Sequence, residues 1–472
     1  MFEQPRWSKW SVLNLGAGVI WISQANQLGS IVGLPIWLVA ALFFASGFAQ
    51  LLWPGDTRAT QTGALAGGVG LILSVPYGLG LGFGSFVALA LGAAAAAWGA
   101  GRMAIQLEAH VDDVPMPHPT FQLAAKVALD EMILGFEQAG ATGYALDGTL
   151  ERVVDELERT HALFERSGFL EKPDAYHVMP PDLVDPTIRT RQIAGHDVEM
   201  LRFESGYAPS EHEPGRDRWL GYEPCQQAHA YVLRHSEGAG APRPWLICTN
   251  GYRMGHAPID VRLFERFHKR YGLNVLIPVL PLHGPRKIGL QSGSGFLGMD
   301  IVDTLHAEAQ SMWDMRRLLS WVRQQGAPAV GAFGLSLGGY ATALFASVTD
   351  DLDCAIPGIP LADIPRIVER HAASHQMSYA EHKGFDLDRV REVLRVVSPL
   401  VLKPRVPFEG RMIFGATADR LVTPDHVRDL WRHWDEPEIV WYDGGHVTFR
   451  AERSVWAGVD RTLRENGLFA AL

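Results

Sequence analysis

The motif Gly334-Leu335-Ser336-Leu337-Gly338 has the form G-x-S-x-G, which places a serine between two glycines. A predicted strand, Ala329–Gly334, leads into the motif, and a predicted helix starts at Ser336, so the serine lies on a strand-to-helix turn. Such a turn needs small residues around the nucleophile. The start of the helix directs the backbone N–H of Leu337 toward a developing oxyanion. The motif therefore predicts that Ser336 is a nucleophile for acyl transfer.

A serine hydroxyl needs a general base, and an acid must orient that base. His446 follows the last predicted strand, Glu438–Tyr442, after two glycines that let the loop turn back over the sheet. Asp419 follows the predicted strand Arg411–Gly415 and is the first candidate for the acid. Asp363 is the alternative acid. The pattern predicts a hydrolytic triad in the chain order serine, aspartate, histidine.

Predicted strands and helices alternate from about residue 183 to the end of the chain. This alternation indicates a mostly parallel sheet that is covered by helices on both faces. The predicted helices include Val261–Tyr271 and Ala307–Gln324. The predicted strands are Val198–Phe203, Trp245–Thr249, Asn274–Leu280, Ala329–Gly334, Asp353–Ile359, Arg411–Gly415 and Glu438–Tyr442.

This part of the chain resembles the α/β-hydrolase superfamily. The resemblance rests on GLSLGG around Ser336, GATADRLVTP around Asp419 and GGH at His446. It implies the α/β-hydrolase fold, with Ser336 as nucleophile, Asp419 as acid and His446 as base. It also implies that no cofactor is required.

The same resemblance implies a second oxyanion donor in the loop that follows an earlier strand. Asn250-Gly251-Tyr252 stands at that place, so the N–H of Tyr252 is expected to act together with the N–H of Leu337. This sequence has Asn-Gly where the superfamily usually has His-Gly.

The first 105 residues have a different composition. There is no charged residue from Trp10 to Gly55, and there is none from Ala59 to Gly101. Because about 20 residues cross the hydrocarbon core, this length predicts a transmembrane bundle of about four helices. A secretory signal peptide is a competing interpretation, but the apolar region continues far beyond the length of a signal. The four predicted spans are Trp10–Ala25, Ile31–Trp53, Gln61–Leu81 and Phe86–Gly101.

Basic residues next to the spans predict the orientation of this module. With four spans, Arg6, Lys9, Arg58 and Arg102 all fall on one side. Basic residues favour the cytoplasmic side, so the catalytic domain is predicted to be cytoplasmic. If the short first segment does not cross, three spans remain and the domain lies on the opposite side.

Two more regions complete the predicted organisation. Residues 106–180 form a helical linker with helices Phe121–Gln138 and Leu150–Ser167, which either seat the catalytic domain on the membrane or cover its active site as a lid. The catalytic domain spans residues 181–472. A polar helical stretch near 363–400 stands where a cap insertion would shape substrate access.

The composition excludes several other classes of protein. The formal net charge is −10 and no basic cluster occurs, which argues against a nucleic-acid partner. Three cysteines without CxxC spacing and the lack of an HExxH motif argue against a structural or catalytic metal. The expected function is hydrolysis of carboxylic esters through an acyl-enzyme. The expected partners are a small-molecule or lipid ester substrate and the lipid bilayer. Alternatives are an acyltransferase, a peptidase or an inactive membrane scaffold. The sequence indicates no oligomeric state.

Overall fold

The computed structural model describes residues 8–28, 30–140, 147–235 and 242–469. These residues divide into two compact units. The first contains the described part of residues 1–143 together with Ala416–Asp425 and Trp441–Glu452. The second contains the other described residues. The predicted boundaries at residues 105 and 180 stay predictions.

The first unit is a bundle of helices. Within the described residues, α2, α3 and α4 are long and apolar enough to cross a membrane, whereas α1 has only 15 residues. The four predicted spans agree with these helices to within a few residues, and whether α1 crosses stays a prediction. Arg6 and Gly29, which belong to the predicted orientation and first hairpin turn, lie outside the described residues. The helices are α1 (Ser11–Ala25), α2 (Ser30–Leu52), α3 (Thr57–Leu81), α4 (Phe83–Leu107) and α5 (Phe121–Gly140).

Small residues bring these helices close together. A side chain at Gly101 on α4 would overlap the backbone of Ala124 on α5. A side chain at Gly135 on α5 would lie 2.7 Å from the carbonyl oxygen of Gln61 on α3. Close backbone approach of this kind is how helices gain van der Waals contact without a hydrophobic driving force. Helix α5 is therefore packed directly on α3 and α4.

The second unit is built on a nine-stranded sheet in the order β1-β2-β3-β5-β4-β6-β7-β8-β9. Antiparallel pairs join β1 to β2, β2 to β3 and β3 to β5. Parallel pairs join β5 to β4, β4 to β6, β6 to β7 and β7 to β8. The strands are β1 (Thr187–Ile193), β2 (His196–Glu204), β3 (Gln227–Leu233), β4 (Trp245–Thr249), β5 (Asn274–Val279), β6 (Val330–Leu335), β7 (Cys354–Gly358), β8 (Met412–Ala416) and β9 (Glu438–Tyr442).

Helices cover this sheet on both faces. Every residue of β4, β5, β6 and β7 is buried, as expected for parallel strands between two helical layers. The predicted α/β-hydrolase fold is confirmed, with a mostly parallel sheet. The helices are α6 (Asp147–Ser167), α7 (Arg216–Leu220), α8 (Glu223–Gln226), α9 (Ala257–Tyr271), α10 (Ile301–Gln324), α11 (Leu337–Val348), α12 (Ile364–His371), α13 (Ser374–His382), α14 (Leu387–Leu394), α15 (Pro424–His433) and α16 (Arg453–Glu465).

The two helices of the predicted linker belong to different units. Helix α5 is part of the first unit, whereas α6 is part of the second and packs on α10 and α14. The predicted cap region contains α12, α13 and α14. Its role in substrate access stays a prediction.

Candidate active site

Ser336 lies on the sharp turn between β6 and α11. Its backbone adopts φ 59° and ψ −117°, a conformation that non-glycine residues rarely adopt. Its N–H donates to the carbonyl oxygen of Gly358 at 3.0 Å, and its own carbonyl accepts from the N–H of Tyr340 at 3.0 Å. The side chain is half-buried. A strained serine at the end of a buried strand is the backbone arrangement of a nucleophile elbow.

The two glycines of the motif explain how the turn closes. A side chain at Gly334 would overlap the carbonyl oxygen of Gly338 and the hydroxyl of Thr342. A side chain at Gly338 would overlap the carbonyl oxygen of Thr249 at the end of β4. The turn can therefore close around Ser336 because Gly334 and Gly338, two residues before and two residues after it, lack a Cβ.

The predicted oxyanion donors lie beside this serine. Leu337 is the first residue of α11, where backbone N–H groups have no partner within the helix. A Cβ on Gly251 would lie 3.4 Å from the Cβ of Ser336, so the segment that leads into Tyr252 runs next to the nucleophile. The guanidinium of Arg253 lies 4.6 Å from the centre of the Tyr252 ring. The assignment of both N–H groups to an oxyanion hole stays a prediction.

In the first unit, Asp419 and His446 form a buried pair. The Nδ1 atom of His446 lies 2.6 Å from Oδ2 of Asp419, and the two residues are only 5% and 1% exposed. The other carboxylate oxygen of Asp419 accepts the N–H groups of Leu421 and Val422, each at 2.9 Å. These bonds hold the carboxylate of Asp419 in one orientation. The carboxylate in turn orients the imidazole of His446 through Nδ1, so Nε2 is the ring nitrogen that does not bind Asp419.

The surroundings of His446 favour its charged form. Burial by itself lowers the pKa of an imidazole, but the charge and hydrogen bond of Asp419, together with the charge of Asp130, raise the pKa of His446 above its ordinary value. A base with a raised pKa holds a proton well once it has taken one. This is the property that a general base needs when it accepts a hydroxyl proton and returns it to a leaving group.

Two further carboxylates reach these loops from helix α5. Oδ2 of Asp130 accepts the N–H of His446 at 2.7 Å and the N–H of Arg420 at 3.1 Å. Glu131 forms an ion pair with Nε of Arg420 at 2.8 Å. All four residues are buried.

Sequence reasoning missed Asp130 and Glu131, although one signal was present. Leu123, Val127 and Leu134 are buried on α5, and Asp130 falls on the same helical stripe. An acidic residue within an apolar stripe needs a buried partner. Not every apolar residue of α5 lies on this buried stripe, since Phe136 is 63% exposed.

Three other aspartates, the alternative acid Asp363 among them, have described positions or partners of their own. Asp363 caps α12 by accepting the N–H of Arg366. Asp425 lies in the first turn of α15. Asp443 lies 2.6 Å from Nδ1 of His118 and accepts the hydroxyl of Thr417. Among these acids and Asp419, only Asp419 has a described hydrogen bond to His446.

The predicted site residues therefore lie in two sets. Ser336, Leu337 and Tyr252 belong to the second unit, and Asp419 and His446 belong to the first. The structure brings the acid and the base together. Proton transfer from Ser336 to His446 stays a prediction. Among the described residues, no group of three or more His, Cys, Asp or Glu side chains is arranged to hold a metal ion.

Comparison with known proteins identifies relatives of this chain. No family model matches it. The chain is 40% identical over 364 residues to each of two proteins of Mycobacterium tuberculosis, Uncharacterized protein Rv2627c and Uncharacterized protein MT2702. Each alignment covers 76% of this chain and 86% of the relative.

Similar solved structures are more distant. Acetyl xylan esterase 1 from Thermoanaerobacterium has a TM-score of 0.45 and 15% identity, over 63% of this chain and 98% of that one. An acetyl xylan esterase from Paenibacillus has a TM-score of 0.44 and 14% identity, over 64% and 99%. A dienelactone hydrolase from Klebsiella pneumoniae, described as putative in its name, has a TM-score of 0.36 and 18% identity, over 57% and 99%.

Proposed function

We propose that this chain, which belongs to the same family as Rv2627c and MT2702 of Mycobacterium tuberculosis, is a membrane-anchored serine hydrolase of carboxylic esters. The observation that carries the proposal is the backbone of Ser336, which holds a serine at φ 59° between a buried strand and a helix start. Strain of this kind persists at functional sites, where the surrounding structure maintains it. The buried Asp419–His446 pair supplies an oriented base.

The proposed reaction passes through an acyl-enzyme. Oγ of Ser336 attacks the ester carbonyl carbon while Nε2 of His446 takes the hydroxyl proton. The N–H groups of Leu337 and Tyr252 bind the resulting oxyanion. His446 then gives its proton to the departing alcohol as the carbon–oxygen bond breaks. His446 then takes a proton from a water molecule, whose oxygen attacks the acyl carbon. The bond between that carbon and Oγ of Ser336 breaks, His446 returns the proton to Oγ, and the carboxylic acid is released.

Lipid esters are the proposed substrate class, with the bilayer as a partner. Three helices with the length and apolarity of membrane spans support anchoring, and substrates dissolved in the membrane would then be close to the enzyme. Retention of the full chain in the membrane fraction after an alkaline carbonate wash tests the anchoring. Release into the soluble fraction would contradict it. A C-terminal reporter that is active only on one side of the membrane tests the proposed cytoplasmic location.

The first test of the chemistry is labelling with a fluorophosphonate probe, which reacts with activated serines. The full-length protein in detergent micelles is compared with Ser336→Ala and with Ser378→Ala, a matched control on the exposed surface of α13. We expect labelling of the wild type and the control, and none of Ser336→Ala. Labelling that survives in Ser336→Ala would place the nucleophile elsewhere. A folded wild-type protein without labelling would favour a non-catalytic scaffold.

Product analysis then separates the hydrolase from its alternatives. A panel of p-nitrophenyl esters and lipid esters in mixed micelles is expected to yield free acid. Transfer of the acyl group to an added alcohol would identify an acyltransferase, and preferential cleavage of amides would identify a peptidase. Loss of about 10⁴-fold or more in kcat is expected in Ser336→Ala, because removal of a triad member leaves only binding and oxyanion stabilisation.

A further inference from the structure

Helix α5 contacts the two loops that carry the proposed acid and base. A single carboxylate oxygen, Oδ2 of Asp130, accepts the N–H of His446 and the N–H of Arg420, which directly follows Asp419. One side chain thus links the backbone of both loops. Charged acceptors form hydrogen bonds with backbone N–H groups that are stronger than those of neutral acceptors.

The carboxyl group of Asp130 is packed closely against the backbone of the loop that carries His446. Asp130 is fully buried, and a Cβ on Gly445 would lie 2.7 to 2.8 Å from the atoms of the Asp130 carboxyl group. Gly445, which precedes His446, has no side chain, and this lets the Asp130 carboxylate approach the backbone there. Displacement of Asp130 would shift the backbone of His446 together with it.

The adjacent residue on α5 strengthens the same connection. Glu131 binds Nε of Arg420, and Glu108, which follows the end of α4, also pairs with this guanidinium. Arg420 is only 2% exposed, so its charge depends on these carboxylates. Because α5 packs on α3 and α4 at Gly135 and Gly101, the helices with membrane-span character and the two loops form one packed structure.

We infer that Asp130 is a positioning residue of the proposed hydrolase, through which the N-terminal helices hold His446 and Asp419 in their working geometry. The inference rests on the proposed function. The described hydrogen bond between Asp130 and the proposed base is to the backbone N–H of His446, not to its imidazole ring. The contribution of Asp130 is to keep the imidazole of His446 aligned, and a misplacement of about 1 Å in such a group lowers a rate by roughly 10²-fold.

The charge of Asp130 acts on the same pair. The described titratable and charged groups near it are Asp419, Arg420 and His446 on the loops, Glu131 next to it on α5, and Tyr442 at the end of β9. Burial, and then the like charge of Asp419, raise the pKa of Asp130 to about 7, while His446 opposes this shift. Burial, followed by the charges of Asp419, Asp130 and Glu452, raises the pKa of Tyr442 well above its ordinary value, so the phenol stays neutral. Removing the Asp130 charge should therefore lower the pKa of His446.

Two substitutions separate the hydrogen bonds from the charge. Asp130→Asn keeps an oxygen that accepts both N–H groups but carries no charge. Asp130→Ala removes the acceptor as well and leaves two buried N–H groups unpaired. Asp155→Asn is the matched control, because Asp155 is an exposed aspartate on α6 that pairs only with its helical neighbour Arg159 in the described contacts.

The experiment measures kcat and KM of the full-length protein in lipid nanodiscs against pH, with a p-nitrophenyl ester. The pH dependence of fluorophosphonate labelling and the melting temperature are measured on the same samples. In Asp130→Asn we expect the acid limb of kcat/KM, and of labelling, to move to lower pH, since a neutral base then persists at lower pH. In Asp130→Ala we expect kcat to fall about 10²-fold with little change in KM. Asp155→Asn should match the wild type.

Each result decides the inference. A purely structural role for Asp130 would lower the melting temperature without moving the acid limb of Asp130→Asn, and that outcome would overturn the inference. An Asp130→Ala variant that fails to fold leaves the decision to the acid limb of Asp130→Asn, which differs from the wild type by one atom. Failure of the proposed function is distinct, because the wild-type protein itself would then neither hydrolyse the ester nor label at Ser336.

Discussion

The turn that carries Ser336 and the loops that carry Asp419 and His446 are held in place by different means. Around Ser336, backbone groups and glycines from β4, β6, β7 and α11 provide every support described above. Around His446, the supports are carboxylate side chains, one from the neighbouring loop and one from a helix 316 residues earlier in the chain. Ser336, the proposed nucleophile, depends on the local backbone, whereas His446, the proposed base, depends on side chains from other parts of the chain.

This difference indicates which substitutions would disturb the turn of Ser336 and which would disturb the loops of Asp419 and His446. A turn made of backbone tolerates changes in surrounding side chains but not the addition of a Cβ. Two loops held by buried carboxylates tolerate few changes in the residues that those carboxylates bind, because an unpaired buried charge costs several kcal/mol. The N-terminal helices are accordingly part of the same unit as the proposed acid and base.

The largest effect, a loss of activity, is expected from a change of Asp419, the proposed acid. Asp419→Asn should lower kcat by about 10⁴-fold, because an amide holds the imidazole in the wrong tautomer. Asp443→Asn is the matched control, since this half-exposed acid close to His446 binds His118 and Thr417 instead. Steady-state kinetics on an ester substrate measure both variants. An Asp443→Asn variant as impaired as Asp419→Asn would reassign the acid.

A smaller effect, on stability, is expected from a change of Glu131, which pairs with Arg420 in the loop after Asp419. Glu131→Gln leaves the buried Arg420 guanidinium with less compensation, so we expect the free energy of unfolding to fall by about 3 kcal/mol. Glu151→Gln, on the exposed face of α6, is the control and should change it by less than about 0.5 kcal/mol. Denaturant unfolding in micelles, followed by tryptophan fluorescence, measures the difference. Equal stability of the two variants would show that α5 does not support the loop.

The smallest effect on stability is expected at the turn of the nucleophile. Gly334→Ala places a Cβ against the backbone of Gly338, and overpacking of this kind costs about 1–3 kcal/mol. The turn must shift to accept it, so fluorophosphonate labelling of Ser336 should slow more than the melting temperature falls. A Gly334→Ala variant that is labelled at the wild-type rate would show that the turn does not require glycine at position 334.

Much of the fold was predictable from local patterns. The strands Trp245–Thr249 and Glu438–Tyr442 were predicted with their observed bounds, and the other predicted strands differ by a few residues at most. Strands β1 and β3 were not predicted. All but the last residue of β1 are exposed, so β1 carries no buried alternation that would identify it. Only pairing with β2 makes it a strand.

The sequence by itself determined the α/β pattern, the apolar N-terminal helices and the prediction that Ser336, Asp419 and His446 act together, because helix periodicity, strand runs and glycine spacing are local properties. Only the tertiary structure decided that His446 bonds Asp419 and that the alternative acid, Asp363, instead caps α12, and that Asp130 and Glu131 on α5 bind the loops of Asp419 and His446. The contacts of Asp419 and Asp130 with His446 join residues some 30 to 300 positions apart. Such pairings depend on the packing of whole helices, which no local pattern encodes.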